Sequence, residues 1–272
     1  DSMSFQNEAG GWSYLLGEIS RKGWKHYFLV AMAVKMTLAS LALILAGFDS
    51  LLFFRKSWRD ELFLIVPGLS LIIAVSMMVN VCFGIRYILP AIPFLYIFAS
   101  RLVSRDGPRQ IWLKASIWLI LLFHLISNLL IYPHYLAYFN IAAGGPKKGI
   151  IILADSNIDW GQDLIGLKKY MDSQKLDQIC LAYFGRVDPG IYGINYQLPY
   201  KGAACDLLAV SATLLVGRPY ILRDHHKTFW NNPGDFNWLK SEKPIADIGY
   251  SILLFDLRNN KLFKEGIYGL DR

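Results

Sequence analysis

The sequence predicts an α-helical transmembrane bundle, with four spans in this fragment, followed by a small extracytoplasmic α/β domain. Three observations lead there. Residues 27–132 hold almost all the long uncharged runs, whereas residues 133–272 have the mix of a globular sequence. The whole chain, at 54% hydrophobic and 18% charged residues, is too apolar for an ordinary soluble domain. In the second half, short apolar segments alternate with helix-patterned ones, the order of an α/β fold.

Charge follows the same division. Lys and Arg number 12 against 7 Asp and Glu before Pro133, and 16 against 14 from there on. The membrane half thus carries +5 of the net +7, so the basicity belongs to loops at a lipid surface. No basic stripe interleaved with aromatics is present, which excludes nucleic acid as a partner.

Residues 1–27 read as an external loop and interfacial segment. They lack a basic stretch followed by a short apolar core, the mark of a signal peptide, and lead directly into a span, so further sequence upstream is expected. The transmembrane region, 28–132, divides into spans at about 28–48, 62–79, 86–101 and 115–132. Each approaches the roughly 20 residues that a bilayer core requires, except the third. Only 14 residues separate Arg86 from Arg101, so Arg86 must sit at the interface or snorkel towards it. Pro90 and Pro93 fall in the first turns of that span. His124 and Asn128, one turn apart in the fourth, read as interhelical hydrogen-bond partners.

The basic residues set an orientation. Arg55, Lys56 and Arg59 lie in one loop, and Arg101, Arg105, Arg109 and Lys114 in another, which places both loops in the cytoplasm. The segment before the first span, the turn at 80–86 and everything after Tyr132 then lie outside. Trp24, Tyr27, Tyr132, Tyr135 and Tyr138 form an aromatic belt there.

Two cations stand out in this half. Lys35 lies about two turns into its span, where an unpaired ammonium is costly. Arg86 adjoins Tyr87 at an outer span end. Together they read as a site for an anionic group of the outer leaflet, a lipid phosphate, which Arg grips in bidentate fashion and Lys meets as a point charge. The plainer alternative is snorkelling for Arg86 and an ion pair for Lys35.

In the extracytoplasmic domain, 133–272, residues 149–154 form a short apolar run fit for a buried strand. Asp155, Ser156 and Asn157 offer N-caps to a helix with Leu164, Leu167, Tyr170 and Met171 on one face. Residues 178–184, 207–216 and 250–257 are strand-like, and 235–241 looks like a short helix. Residues 185–200, rich in Gly, Pro and Tyr, form a long loop. A largely parallel sheet is expected. The three cysteines give no disulfide framework and read as buried small hydrophobes; a Cys180–Cys205 bridge stays open if this half faces an oxidising compartment.

The densest chemistry lies at 154–163, where Asp155, Asn157, Asp159, Trp160, Gln162 and Asp163 crowd together. Three readings compete. The residues could cap and orient a helix. They could bind calcium, since the acidic and amide positions follow the spacing of an EF-hand loop, but Trp160 and Gly166 stand where that loop needs Gly and Glu. They could bind sugar, with carboxylates and amides pairing to hydroxyls and Trp160 stacking on the ring. No metal site, Ser/His/Asp triad or Gly-rich phosphate loop is seen, and the pair His225-His226 reads as solvated.

Several stretches carry a family resemblance. They are Tyr14-Leu15-Leu16-Gly17-Glu18 with Gly23-Trp24 and Tyr27-Phe28 ahead of Lys35, and Arg86-Tyr87-Ile88-Leu89-Pro90 with Pro93-Phe94. Tyr132-Pro133-His134-Tyr135-Leu136-Ala137-Tyr138-Phe139-Asn140 with Gly144-Gly145-Pro146 leads on to Asp155-Ser156-Asn157-Ile158-Asp159-Trp160-Gly161-Gln162-Asp163. In these the chain resembles the C-terminal portion of bacterial multi-spanning glycosyltransferases of family 39 type, relatives of protein O-mannosyltransferases and lipid A aminoarabinose transferases. The resemblance implies an inverting transfer from a polyprenyl-phosphate-linked sugar on the outer face of the bacterial inner membrane. It implies donor phosphate binding by Arg86, Tyr87 and Lys35, and a sugar- or acceptor-facing role for the 155–163 residues. The family's catalytic carboxylate lies in a first external loop, N-terminal to anything present here, so this stretch alone is expected to be inactive. Lys35 stands where relatives have Lys followed by Thr-Pro; Met36-Thr37-Leu38 follows here, without the Pro kink. The sugar, the acceptor and any cofactor are left open. The alternative is a non-catalytic membrane protein that binds or presents a lipid-linked glycan; a transporter fits less well.

Overall fold

The computed structural model describes residues 11–53, 58–78, 80, 82–103, 111–200, 205–224 and 228–258. The loop arginines 55, 105 and 109, Lys56 and the pair His225-His226 lie outside the described residues. The chain forms two compact units, one of Arg21–Gly145 and one that joins Trp12–Ser20 to the chain from Pro146 onward. The sequence boundary at 133 thus moves to 146, and a short N-terminal piece joins the second unit.

The first unit is helical: α1 Tyr27–Lys35, α2 Leu38–Phe53, α3 Trp58–Met78, α4 Ile92–Ala99 and α5 Ile111–Leu130. A 3-10 segment, Ile85–Ala91, leads into α4, and another, Ser100–Val103, continues it. Two stretches, Glu61–Met78 and Ile85–Val103, are long and apolar enough to cross a membrane. The expected first span is instead a pair, α1 and α2, bent by 115°. The fourth, Lys114–Leu130, is a shorter apolar helix. Large apolar side chains face outward along these helices, including Phe63, Met77, Trp118, Leu119 and Leu130. Glycines let the helices close up: a Cβ at Gly47 would lie 3.2 Å from Phe98, and one at Gly68 3.2 Å from Phe94. Arg101 pairs with Glu61, joining the end of one membrane-length helix to the start of the other.

The bend is held without the missing proline, by one local cap and two distant partners. Thr37 caps α2, its Oγ1 accepting the Ser40 N–H at 3.1 Å. The carbonyls left open where α1 stops are met from far along the chain, because Asn140 Nδ2 donates to Ala33 O at 2.6 Å and to Met36 O at 2.9 Å. His124 on α5 closes the break, its Nδ1 lying 2.8 Å from Thr37 Oγ1 and 3.1 Å from Ser40 Oγ. The interhelical role read for His124 is therefore found, with α2 as the partner. Asn128 donates to the His124 carbonyl at 2.8 Å.

The second unit is built on a five-stranded sheet. Its strands are β3 Ile179–Ala182, β4 Tyr196–Gln197, β5 Leu207–Ser211, β8 Ala246–Ile248 and β9 Ile252–Asp256, in the order β4-β3-β5-β9-β8. The first three are parallel, while β9 runs antiparallel to β5 and β8 antiparallel to β9. The sheet is thus mixed, not largely parallel. Two hairpins stand apart from it, β1 Ser13–Leu15 with β2 Glu18–Ser20, and β6 Tyr220–Arg223 with β7 Thr228–Asn231. Both sheet faces are covered, as alternation requires. Cys180, Ala182, Leu208 and Val210 pack with Phe236 and Phe255 on one side, and Ile179, Leu181 and Ala209 pack with Leu164, Leu167 and Met171 on the other. These last three lie on helix α7, Leu164–Ser173.

Residues 149–154 are not a strand. Helix α6, Pro146–Ile152, occupies most of the run, and Leu153 alone forms a bridge, to Leu15. A four-residue helix, α8 Ala212–Leu215, likewise replaces the end of the expected 207–216 strand. Cys180 and Cys205 form a disulfide with Cα atoms 5.6 Å apart, tying β3 to the approach to β5. Cys82, in the helical unit, is buried, with its Sγ 3.8 Å from Trp24 O.

Candidate functional site

The two cations singled out in the helical unit meet different surroundings. Lys35 ends α1 at the bend, donates to Leu136 O at 2.7 Å and lies 4.3 Å from the centre of the Phe139 ring. Its charge therefore helps to hold the 133–140 segment against the break. Arg86 is exposed in the 3-10 turn that opens a membrane-length helix, its guanidinium 5.2 Å from the Tyr87 ring. Tyr87 in turn meets Phe28 of α1 edge-on at 6.0 Å. Phe28 and Lys35 sit on one helix, about 10 Å apart along its axis. The structure thus supports Arg86 on the helix that bears Lys35, through aromatic packing.

The 155–163 residues form a braced turn in the second unit. Asp155, in a left-handed conformation (φ 57), pairs with Arg218, whose guanidinium lies 5.3 Å from the Phe184 ring. Asn157 is fully buried and donates to Ala154 O at 3.1 Å. Asp159, also fully buried, accepts the Gly161 N–H at 2.9 Å and faces Ser211 and Thr213. Asp163 accepts from Ser251 Oγ at 2.6 Å and from Gln162 Nε2 at 3.0 Å. Gly249 must be glycine beside it, because a Cβ there would overlap the Asp163 carboxylate and its φ is +62. Gln162 also accepts the Trp160 N–H at 2.8 Å, and the Trp160 side chain stays half exposed.

This arrangement bears on two of the readings. The residues at calcium-loop spacing turn to four different partners, and among the described residues no three His, Cys, Asp or Glu converge as a metal site. The capping role changes form: Asp155–Asn157 make a 3-10 turn of their own, and Asp163 takes the N-cap position of α7 without a side-chain cap. The cluster follows a helix, not a strand, yet it still reaches the carboxyl ends of the parallel strands. Ser211 closes β5 and accepts the Phe184 N–H at 2.9 Å, just beyond β3.

Burial, opposed by the Gly161 N–H and the Ser211 and Thr213 contacts, pushes the Asp159 carboxyl up to about 7. Burial first, and then the neighbouring Asp159 charge, also raises the Tyr183 phenol. Tyr183 is gripped between two glycines: its hydroxyl donates to Gly161 O at 2.8 Å, and a Cβ at either Gly161 or Gly185 would overlap its phenol.

Tyr183 also walls a cavity of about 690 Å³ that the sequence reading did not anticipate. The long 185–200 loop and the β6–β7 hairpin enclose it, so its residues come from segments well apart in the chain. The only trace in the sequence was the loop's richness in Gly, Pro and Tyr. No protein family, curated protein or solved structure matches this chain.

Proposed function

We propose that the chain is the lipid-donor part of a membrane glycosyltransferase, which moves a sugar from a polyprenyl phosphate to an acceptor on the outer face. In this reading the helical unit crosses the bilayer four times, the second unit is extracytoplasmic, and the carboxylate that activates the acceptor lies outside this chain. Exposed Arg86, set at the opening of a membrane-length helix with Tyr87 packed on α1, carries the proposal. An exposed guanidinium at a lipid interface suits a phosphate leaving group, whose charge grows in the transition state. Lys35 supports the site by holding the bend. The disulfide fits an oxidising compartment for the second unit.

One observation favours the non-catalytic alternative, a protein that binds or presents a lipid-linked glycan. No carboxylate of the cluster is poised as a general base: Asp155 is paired, Asp159 is sealed from solvent and Asp163 is held by Ser251.

The test is photocrosslinking of a polyprenyl-phosphate probe to the chain in nanodiscs. Arg86→Gln is expected to reduce labelling at least tenfold and Arg86→Lys to reduce it partly. Undiminished labelling of Arg86→Gln would discard the donor site. Sugar transfer by this chain alone would show that its base is present after all.

A further inference from the structure

The cavity in the second unit has the chemistry of a saccharide site. Its aromatic walls are fixed before any ligand arrives, because the Tyr183 hydroxyl is held by Gly161 O, Tyr220 donates to Gly185 O at 3.0 Å, and Tyr196 donates to Arg223 O at 3.2 Å. Hydroxyls engaged with the backbone hold these rings in place. At the rim Trp230 is half exposed, a broad platform for the C–H face of a pyranose. The volume lies within the range of small-ligand pockets.

Polar groups complete the lining. Asp188 accepts the Gly190 N–H at 2.9 Å and Asp224 accepts the Leu198 N–H at 3.1 Å, so backbone donors fix both carboxylates in the lining. Arg186 and Arg223 also line the cavity and are exposed, and neither has a carboxylate partner among the described residues. Two such fork-shaped cations suit a carboxylate or phosphate on the ligand.

We propose that this cavity binds an acidic saccharide, stacked on Trp230 with its anionic group held by Arg186 and Arg223. Calling that saccharide the acceptor rests on the glycosyl-transfer reading; the binding site itself does not.

The experiment is saturation-transfer difference NMR on the full 272-residue chain in detergent, with trigalacturonate as probe and neutral maltotriose beside it. Trigalacturonate is expected to receive saturation on its ring protons and maltotriose at least fivefold less. Trp230→Ala and, independently, Arg186→Gln are each expected to weaken the trigalacturonate signal at least fivefold. Arg186→Gln alters an exposed loop side chain, so it reports on binding even if Trp230→Ala disturbs the hairpin. Equal signals from the two saccharides, or full signal in Arg186→Gln, would overturn the proposal. Polyprenyl-phosphate labelling is run on the same samples. Its loss with saccharide binding intact sinks the donor reading alone, and the reverse pattern sinks this one alone.

Discussion

Asp159 places an acid where water does not reach, and that gives the second unit a pH dependence. Its carboxyl stands at about 7 when folded, against 3.8 as the ordinary value. Between those values the folded form holds a proton that the unfolded form has released. The stabilising contribution is therefore complete below about pH 4, declines as pH rises and is gone once pH passes 7, with a ceiling of about 4 kcal/mol. Asp159→Asn keeps an acceptor for the Gly161 N–H but cannot ionise. Denaturant unfolding of the variant is expected to lack the decline between pH 4 and 7 and to show a higher midpoint at pH 8. A wild-type slope in the variant would assign the dependence to another group. The sequence named all six residues of the cluster, since their density was plain, but it could not show which partners they would take. Arg218, Ser211, Thr213 and Ser251 stand 52 to 88 residues from the acids they meet, and nothing in the local pattern announces them.

At the scale of elements, what was legible followed periodicity and what was missed depended on distant partners. Strands at 179–182 and 252–256 and the helix at 164–173 appear where alternation and the 3.6-residue pattern put them. The run at 149–154 was ambiguous, because a short apolar segment has no period of its own; Pro146 at the first helical position was the overlooked cue. The bend at Met36 escaped because its carbonyls are satisfied by Asn140, over a hundred residues away. The antiparallel return of β9 turns on Gly249 and Tyr250, both at positive φ, at the start of the segment that read as a strand from Tyr250, and β8 before it was not read. The disulfide was left open for the same reason, as two cysteines give no register until β3 and β5 are side by side. Closing a loop with a sequence separation of 25, it is expected to stabilise the second unit by about 2–4 kcal/mol. Chemical denaturation with and without reductant measures that difference, and matching curves would mean the bridge carries no stability.

For the whole molecule, the sequence separated an apolar helical part from a globular part correctly, because composition is a bulk property. The precise limits were less visible. Residues 12–20 resemble any exposed loop, yet β1 is held to the second unit, with Leu16 N–H donating to Ile152 O at 2.9 Å and the Tyr14 hydroxyl to Ile151 O at 3.2 Å.

On the proposed membrane reading, that small hairpin constrains the number of crossings. A single folded unit cannot lie on both faces of a bilayer, so a chain that leaves it after Ser20 and rejoins it at Pro146 would cross an even number of times. The four crossings proposed meet that condition, and Glu61–Met78 and Ile85–Val103 are the two stretches of membrane length among the described residues. Single cysteines introduced at Gly17 and at Gln162, in a background without Cys82, should react with a membrane-impermeant maleimide from the same side of sealed vesicles. Labelling from opposite sides would mean that β1 does not stay with the unit it completes.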